Sequence, residues 1–294
     1  MESVPVKTSE ILTTRIRDIL TDAAARLAAV SDTPRLDVEV LLGHILAQPR
    51  SYLFANPEEL LSSGKANAFD LILQQRLAGQ PVAYLIGERE FWSLTLRVNP
   101  STLIPRPETE LLVEKALSHV PNDRAVHVLE LGTGSGAVAL ALSVERPTCS
   151  IVATDACSDA LSVARQNAAS HGTSNIKFVA GDWFDPLADR RFDVIVSNPP
   201  YVRDADPHLG RGDARFEPRC ALAGGPDGLD ALRLIISGAG LHLNSDSWLL
   251  LEHGYDQADD VAALLSSRGF DSVCCHRDIT GHPRVTEARF KAEG

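Results

Sequence analysis

The sequence predicts an α/β protein, a mostly parallel sheet covered by helices on both faces and preceded by a small helical bundle. Three observations carry this. Apolar residues recur at helical spacing over residues 10–85, the period shortens to two between Glu88 and Leu103, and strand and helix patterns alternate after Asn122.

Within the first part, Ile16, Ile19, Leu20, Ala23 and Leu27 mark one helix face, and Leu36, Val40, Leu41, Ile45 and Leu46 mark another after Pro34. A third face is Phe69, Ile72, Leu73, Arg76 and Leu77, ended by Gly79 and Pro81. Between Glu88 and Leu103, Phe91, Ser93, Thr95 and Arg97 alternate with Trp92, Leu94, Leu96 and Val98, the pattern of a hairpin or a short extended linker. Ile104-Pro-Arg-Pro-Glu-Thr-Glu110 then stiffens the entry into a helix whose first turn carries Glu108 and Glu110, favourable against the helix dipole. Strands are expected over 126–131, 150–154, 176–179, 192–197, 247–252 and 273–277, with helices over 137–143, 158–171 and 230–239. A parallel sheet of this kind binds ligands at the carboxyl ends of its strands.

Composition narrows the function. With 28 Lys+Arg against 39 Asp+Glu, the net charge of −11 disfavours a general grip on nucleic acid phosphates. No apolar run approaches the roughly 18–20 residues that cross a bilayer. Arg15, Arg17 and Asp18 interrupt any signal-peptide core, and Glu2 and Glu10 speak against a transit peptide, so a cytoplasmic protein is expected. Cys149, Cys157, Cys220, Cys274 and Cys275 are odd in number and contain no CxxC pair and no zinc-ligand spacing, and the adjacent Cys274 and Cys275, in an alternating stretch, read as reduced packing residues.

Two segments carry chemistry. Glycines 132, 134 and 136, with Thr133 and Ser135 between them, lie between a strand and a helix. Glycine allows positive φ and close approach of a ligand to the backbone. Such a turn could be no more than a tight connection, but Asp155 ends the next strand, where an acid can accept both hydroxyls of a ribose. Asp182 and Trp183 follow the third strand and could meet an adenine through its amino group and its face. The GxGxG spacing after Glu130 favours S-adenosylmethionine (SAM) over a dinucleotide; Glu130 would either hold the charged methionine end or cap the turn.

The second segment is Asn198-Pro199-Pro200-Tyr201, closing the strand over 192–197. An amide or arylamine nitrogen has a delocalised lone pair and will not attack a sulfonium methyl unaided. Acceptors from the Asn198 side chain and the Pro199 carbonyl could hold both N–H bonds of a planar –NH2 group, with prolines fixing φ and the Tyr201 ring against the planar face. Catalysis would then be positioning with transition-state electrostatics. Adenine N6, cytosine N4 and a glutamine amide all fit such a clamp. No metal is expected: there is no HExxH, no calcium-loop spacing, and the nine His are scattered. His253 reads as a strand-end residue rather than a base. Arg106 and Glu108 could serve the cleft or an ion-paired joint. Arg215, Phe216 and Glu217 could close over substrate or form a structural Arg–Glu lock, and 204–212 reads as a mobile loop.

At this point the chain resembles the bacterial release-factor glutamine N5-methyltransferase family. The matching segments are Arg35-Leu-Asp-Val-Glu-Val-Leu-Leu42, Gln75-Arg76, Gly79, Pro81, Tyr84-Leu85, Gly87, Phe91 and Leu103–Glu110, then the glycine turn, Gly181–Phe184, Ser197–Tyr201, Arg215–Arg219 and Gly225–Asp230. The resemblance implies a class I, Rossmann-like methyltransferase with a seven-stranded sheet over 105–294, a recognition domain over 1–86, and a hairpin or linker over 87–104. By position it implies cofactor contacts from Gly132–Gly136, Asp155, Asp182, Trp183 and Asn198, and a clamp of Asn198, Pro199, Pro200 and Tyr201 on the substrate glutamine. The implied substrate is the Gly-Gly-Gln motif of class 1 peptide-chain release factors. Separately, a monomer that engages neither nucleic acid nor membrane is expected. Glu130, Ser93 and Ala214 stand where the family more often has Asp, Gly and Val. An adenine N6 methyltransferase and a catalytically silent SAM-binding module docking on translation factors remain the rival readings.

Overall fold

A computed structural model of the chain describes residues 14–291, so the expected helical positions 10–13 and the acids Glu2 and Glu10 lie outside the described residues. The chain divides into two compact units, 1–86 and 87–294.

The first unit contains α1 (Ile16–Leu27), α2 (Pro34–Leu46), α3 (Arg50–Ala55), α4 (Ser63–Leu77) and α5 (Val82–Ile86). Ile16, Leu20, Leu27, Leu41, Phe69 and Leu73 meet in one core, as their spacing requires. The inward face of α2 differs from expectation. Leu36 is exposed and Val40 only half-buried, whereas Asp37, Val38, Glu39 and Leu42 are buried. The buried acids are paired: Arg76 Nε donates to Asp37 Oδ2 at 2.8 Å, and Arg35 and Arg50 both donate to Glu39. The arginines hold the Glu39 carboxyl below its usual range against the opposing effect of burial. An apolar-only reading of helix faces cannot find such positions, because Arg50 and Arg76 come from other helices, α3 and α4.

In the second unit, β1 (Glu88–Phe91) and β2 (Leu94–Arg97) form a hairpin closed by Trp92 and Ser93, both with positive φ. Ser93 thus occupies a backbone region that glycine enters freely, which explains why the family more often has glycine there; nothing in the structure explains the serine. The turn also breaks the period-two reading, because Phe91 ends buried like Leu96 and Val98. The hairpin is built into the unit rather than standing apart as a linker. The Asn167 amide accepts from Arg97 N at 2.8 Å and donates to Arg97 O at 3.0 Å.

After a short 3-10 turn (Pro107–Thr109) come α6 (Glu110–His119), β3 (His127–Leu131), α7 (Ala137–Glu145), β4 (Ser150–Asp155), α8 (Ser158–Ser170), β5 (Ile176–Ala180) and β6 (Phe192–Ser197). They are followed by α9 (Asp230–His242), β7 (Leu243–Glu252), α10 (Ala258–Ser267), β8 (Phe270–Arg277) and β9 (Pro283–Phe290). The sheet order is β5-β4-β3-β6-β7-β9-β8, with only β9 antiparallel to its neighbours. Strand alternation assigns the two faces. Val128, Ile151, Val194, Val196 and Leu250 pack with α6 and α7, while Leu129, Leu131, Val152, Ile195, Leu249 and Leu251 pack with α9 and α10. Burial on both faces is why these strands read as continuous apolar runs. In this unit α10 and β9 are the elements that the sequence reading did not identify, as α3 and α5 are in the first.

All five cysteines are free, but only Cys149 is buried; Cys220, Cys274 and Cys275 are exposed, so the packing role expected for the adjacent pair is not what the fold gives them. Among the described residues, Cys274, His276 and Glu287 bring ligand-capable atoms within 4.8 Å of one another. The Glu287 carboxylate already faces His119 Nε2 of α6 at 2.9 Å and His276 Nε2 of β8 at 3.2 Å, so polar contacts between these elements account for the grouping. Among the described residues, no helix is long and apolar enough to cross a membrane.

Candidate active site

The chain leaves β3 toward β4 and β5 on one side and returns to β6 and β7 on the other, so a crevice opens at the carboxyl ends of β3, β4 and β6. A cavity of about 250 Å³ lies there, lined by Leu103, Gly132, Gly134, Thr154, Asp155, Asp182, Trp183, Asn198 and Pro200, among others. A smaller adjoining pocket shares Leu103, Gly132, Gly134 and Asn198 with it and adds Arg106, Thr109, Glu130, Thr133 and Ser135.

The glycine turn is positioned by the sheet. Gly132 N and Thr133 N donate to the Thr154 carbonyl at 2.9 Å, and Ser197 Oγ donates to the Leu131 carbonyl at 2.8 Å. Gly134 has φ 56°, and a Cβ there would meet nothing within 4 Å, so its backbone stands open toward a ligand. Gly136 behaves differently. A Cβ on it would lie 3.2 Å from Ala164 Cβ, so it serves the packing of α7 against α8 and lines neither pocket.

Asp155 Oδ2 accepts from Gly134 N and Oδ1 from Cys157 N, each at 2.8 Å. Each oxygen keeps a further lone pair, so the carboxylate is oriented yet still able to accept from a diol. Glu130 is buried, accepting from Thr133 Oγ1 at 2.6 Å and from Ala139 N at 3.1 Å. It therefore caps the turn, and burial pushes its carboxyl up to about 8. Thr133 spends its hydroxyl on this cap. Ser135 is buried, with its carbonyl accepting from Asn167.

Asn198 is on the cavity wall. Its Nδ2 donates to Thr109 Oγ1 at 3.0 Å, leaving the amide oxygen as the free end. Pro200 lines the cavity, but Pro199 and Tyr201 do not. Tyr201 packs on the core beneath α9 and its hydroxyl donates to Glu252 Oε1 at 3.2 Å, so the expected stacking of this ring on the substrate face is not its arrangement here. Burial, and then the Glu252 charge, raise the phenol above its ordinary range.

Arg106 ion-pairs with Glu217, whose other oxygen accepts from Ile104 N at 3.0 Å. Of the two readings offered for these residues, the geometry is that of a structural lock, tying 104–106 to the loop after the motif. Arg215 lies over the Phe216 ring at 4.7 Å. His253 is buried with both ring nitrogens engaged, by the Gly254 carbonyl and Thr286 Oγ1, and burial lowers its pKa, as befits a strand-end packing residue. The loop over 204–212 contains the 3-10 turn Pro207–Gly210, with Asp206 accepting from His208 N. Thr109, Thr154 and Glu252 are the polar residues that sequence reasoning missed. Thr154, one residue before Asp155, was within reach of the strand-end argument; nothing local marks the other two.

The fold order and the glycine turn at the carboxyl end of β3 define a class I methyltransferase. Residues 18–87 match the family model described as PrmC N-terminal domain, and residues 108–211 match Methyltransferase small domain. The chain is 48% identical over 268 residues to the release factor glutamine methyltransferase of Vibrio cholerae, covering 90% of this chain and 92% of that one. It is 46% identical over 274 residues to that of Coxiella burnetii, covering 93% and 98%. A methyltransferase from Pyrococcus furiosus superposes with a TM-score of 0.53 at 20% identity, covering 75% of this chain and 98% of that one, and shares the fold. The chain belongs to the release factor glutamine methyltransferase family.

Proposed function

We propose that this protein transfers the methyl group of SAM to the side-chain amide nitrogen of the glutamine in the Gly-Gly-Gln motif of class 1 peptide-chain release factors. The observation that carries the reading is the Asn198 amide on the cavity wall with its –NH2 committed to Thr109, which turns an acceptor toward the space where a planar amide must sit. When bound, SAM supplies a methyl group activated by a sulfonium centre. Asp155 would accept from the ribose hydroxyls, Asp182 and Trp183 would hold the adenine, and the Gly132–Gly134 backbone would admit the methionine portion. Asn198 Oδ1 and the Pro199 carbonyl would each accept one N–H of the substrate amide, orienting its nitrogen and favouring loss of conjugation as the new bond forms. Tyr201 would support the motif from the core side, and the 1–86 unit would recognise the release factor. No metal is required by this chemistry, and the work is assigned to a cytoplasmic monomer.

The rival adenine N6 reading uses the same clamp, but the net charge of −11 opposes a polyanionic substrate. Offering the purified chain, with labelled SAM, a release factor in one reaction and duplex DNA or RNA in another separates them. Label is expected in the protein acceptor alone; label in nucleic acid, or in neither, overturns the reading. Asp155→Ala is expected to weaken SAM binding by about 10- to 100-fold, since charge-assisted hydrogen bonds to the diol are lost together with the anchor of Gly134. Calorimetric titration of the variant with SAM measures this.

A further inference from the structure

We propose that Glu217 is a positioning residue for the cofactor, strapping together two distant segments, 101–106 and 217–221, that complete the wall of the SAM cavity. This rests on the reading of that cavity as the SAM site. The carboxyl ends of β3, β4 and β5 supply part of the wall through Gly132, Asp155 and Asp182. Much of the rest comes from outside the sheet: Ser101, Thr102 and Leu103 ahead of α6, and Pro218, Cys220 and Ala221 beyond the Asn-Pro-Pro-Tyr motif. Neither segment is a strand of the sheet, so no ladder of backbone bonds sets their spacing.

Glu217 supplies the link. Its Oε2 accepts from Ile104 N at 3.0 Å, across 113 positions, its Oε1 accepts from Arg106 Nη2, and the side chain has no exposed surface. A backbone amide and a guanidinium on one short stretch are thus held by a single carboxylate, which fixes that stretch in rotation as well as in place. Pro105 lies between the two donors and Pro218 follows Glu217, and each ring stiffens the backbone beside the strap. Glu217 itself lines neither pocket, so it acts on the cavity only through the segments it joins.

The 3-10 turn Arg219–Ala221 is anchored again at its far end. The Leu222 carbonyl accepts from Val202 N at 2.9 Å, and Gly224 N donates to the Val202 carbonyl at 2.8 Å. One end of the turn is therefore tied to the residue after Tyr201, the other through Glu217 to 104–106. Releasing the Glu217 end leaves the first tie in place, so the wall loosens while the motif keeps its position. A wall ordered before the ligand arrives spares binding the entropy of ordering it, and the strap does not touch the substrate amide. Its loss is expected in cofactor affinity and not in the transfer step.

The test uses the full chain and two variants. Glu217→Gln keeps the volume and an acceptor for Ile104 N but loses the charge that meets Arg106. It is expected to raise the Kd for SAM about tenfold, the scale of one charge-assisted hydrogen bond, with kcat at saturating SAM within about twofold of the parent. Glu217→Ala, which loses both contacts, is expected to raise the Kd further. A second readout needs no turnover, because Cys220 is an exposed thiol on the strapped turn and lines the cavity. Its alkylation by iodoacetamide, followed by peptide mass spectrometry, is expected to slow when S-adenosylhomocysteine, the demethylated product, is bound to the parent. Without ligand, Cys220 is expected to react faster in Glu217→Gln than in the parent. If S-adenosylhomocysteine protects Cys220 in the parent, yet Glu217→Gln binds SAM with the parent Kd, reacts at the parent rate or loses kcat instead, the strap is wrong and the cavity reading stands. If S-adenosylhomocysteine binds the parent and leaves Cys220 unprotected, the cavity reading fails and takes the strap's role with it.

Discussion

Asn198→Ala is expected to reduce methyl transfer by about a hundred- to a thousandfold, the loss seen when one positioned group acting on the transition state is removed, while SAM still binds measurably. The resonance of an amide leaves its nitrogen almost without nucleophilic character, so the site must hold that nitrogen while its lone pair is redirected. The Asn198 oxygen is the side-chain acceptor at the wall of the cavity, because its nitrogen is engaged by Thr109. Alanine leaves the prolines and the glycine turn unaltered and removes only the acceptor. Single-turnover transfer measured beside calorimetric SAM binding separates the roles. An equal loss of both would mean that Asn198 serves the cofactor instead of the substrate.

Gly228→Ala is expected to cost about 3–5 kcal/mol of stability and to abolish transfer, for a reason distant in sequence from the motif. Gly228 has φ 79°, where a side chain alone costs about 1–2 kcal/mol. A Cβ built there falls 2.3 Å from the Tyr201 carbonyl oxygen and 2.7 Å from Gln257 Nε2. Gln257 Nε2 donates to both the Tyr201 and Gly228 carbonyls, so the segment is pinned against the motif and cannot move away without breaking that link. The resemblance marked Gly225–Asp230 as a matching segment, and close backbone approach behind the clamp is the physical content of that match. Thermal melting and transfer assays measure both effects. Gly64→Ala is the control. Its Cβ would meet nothing within 4 Å, its helix position needs no positive φ, and a small rise in stability of about 0.4–1 kcal/mol is expected.

Much of the catalytic fold was legible because its strands are buried on both faces. His127–Leu131 and Phe192–Ser197 are short strands rich in Val, Leu and Ile and closed by special residues, glycines after one and Asn-Pro-Pro-Tyr after the other. Pro283–Phe290 was not legible, because Arg284, Glu287 and Arg289 interrupt its apolar residues and a proline opens it. Ala258–Ser267 buries only Val261 and Leu265, too short a stripe to stand out from the surrounding polar residues. In the site, Asp155, Asp182, Trp183 and Asn198 were found by their places after strands, which depend on local sequence, and they line one cavity. Gly136 was grouped with them by spacing, yet its neighbour Ala164 gives it a packing role. Tyr201 was read by its chemistry as a stacking ring, but its hydroxyl donates inward to the buried Glu252 carboxylate, fifty-one positions away. Glu217 was read as half of an Arg–Glu lock, but its partner Arg106 lies 111 positions away, and Thr109 went unread for the same reason: their meaning lies in partners that only the fold brings near.

The most direct measurement is tandem mass spectrometry of a release factor treated with the purified chain and SAM. One added methyl group is expected on the side-chain nitrogen of the Gly-Gly-Gln glutamine, absent when Asn198→Ala replaces the parent enzyme. A methyl group on any other residue or on the backbone, or an unmodified glutamine under conditions where SAM is bound, would contradict it.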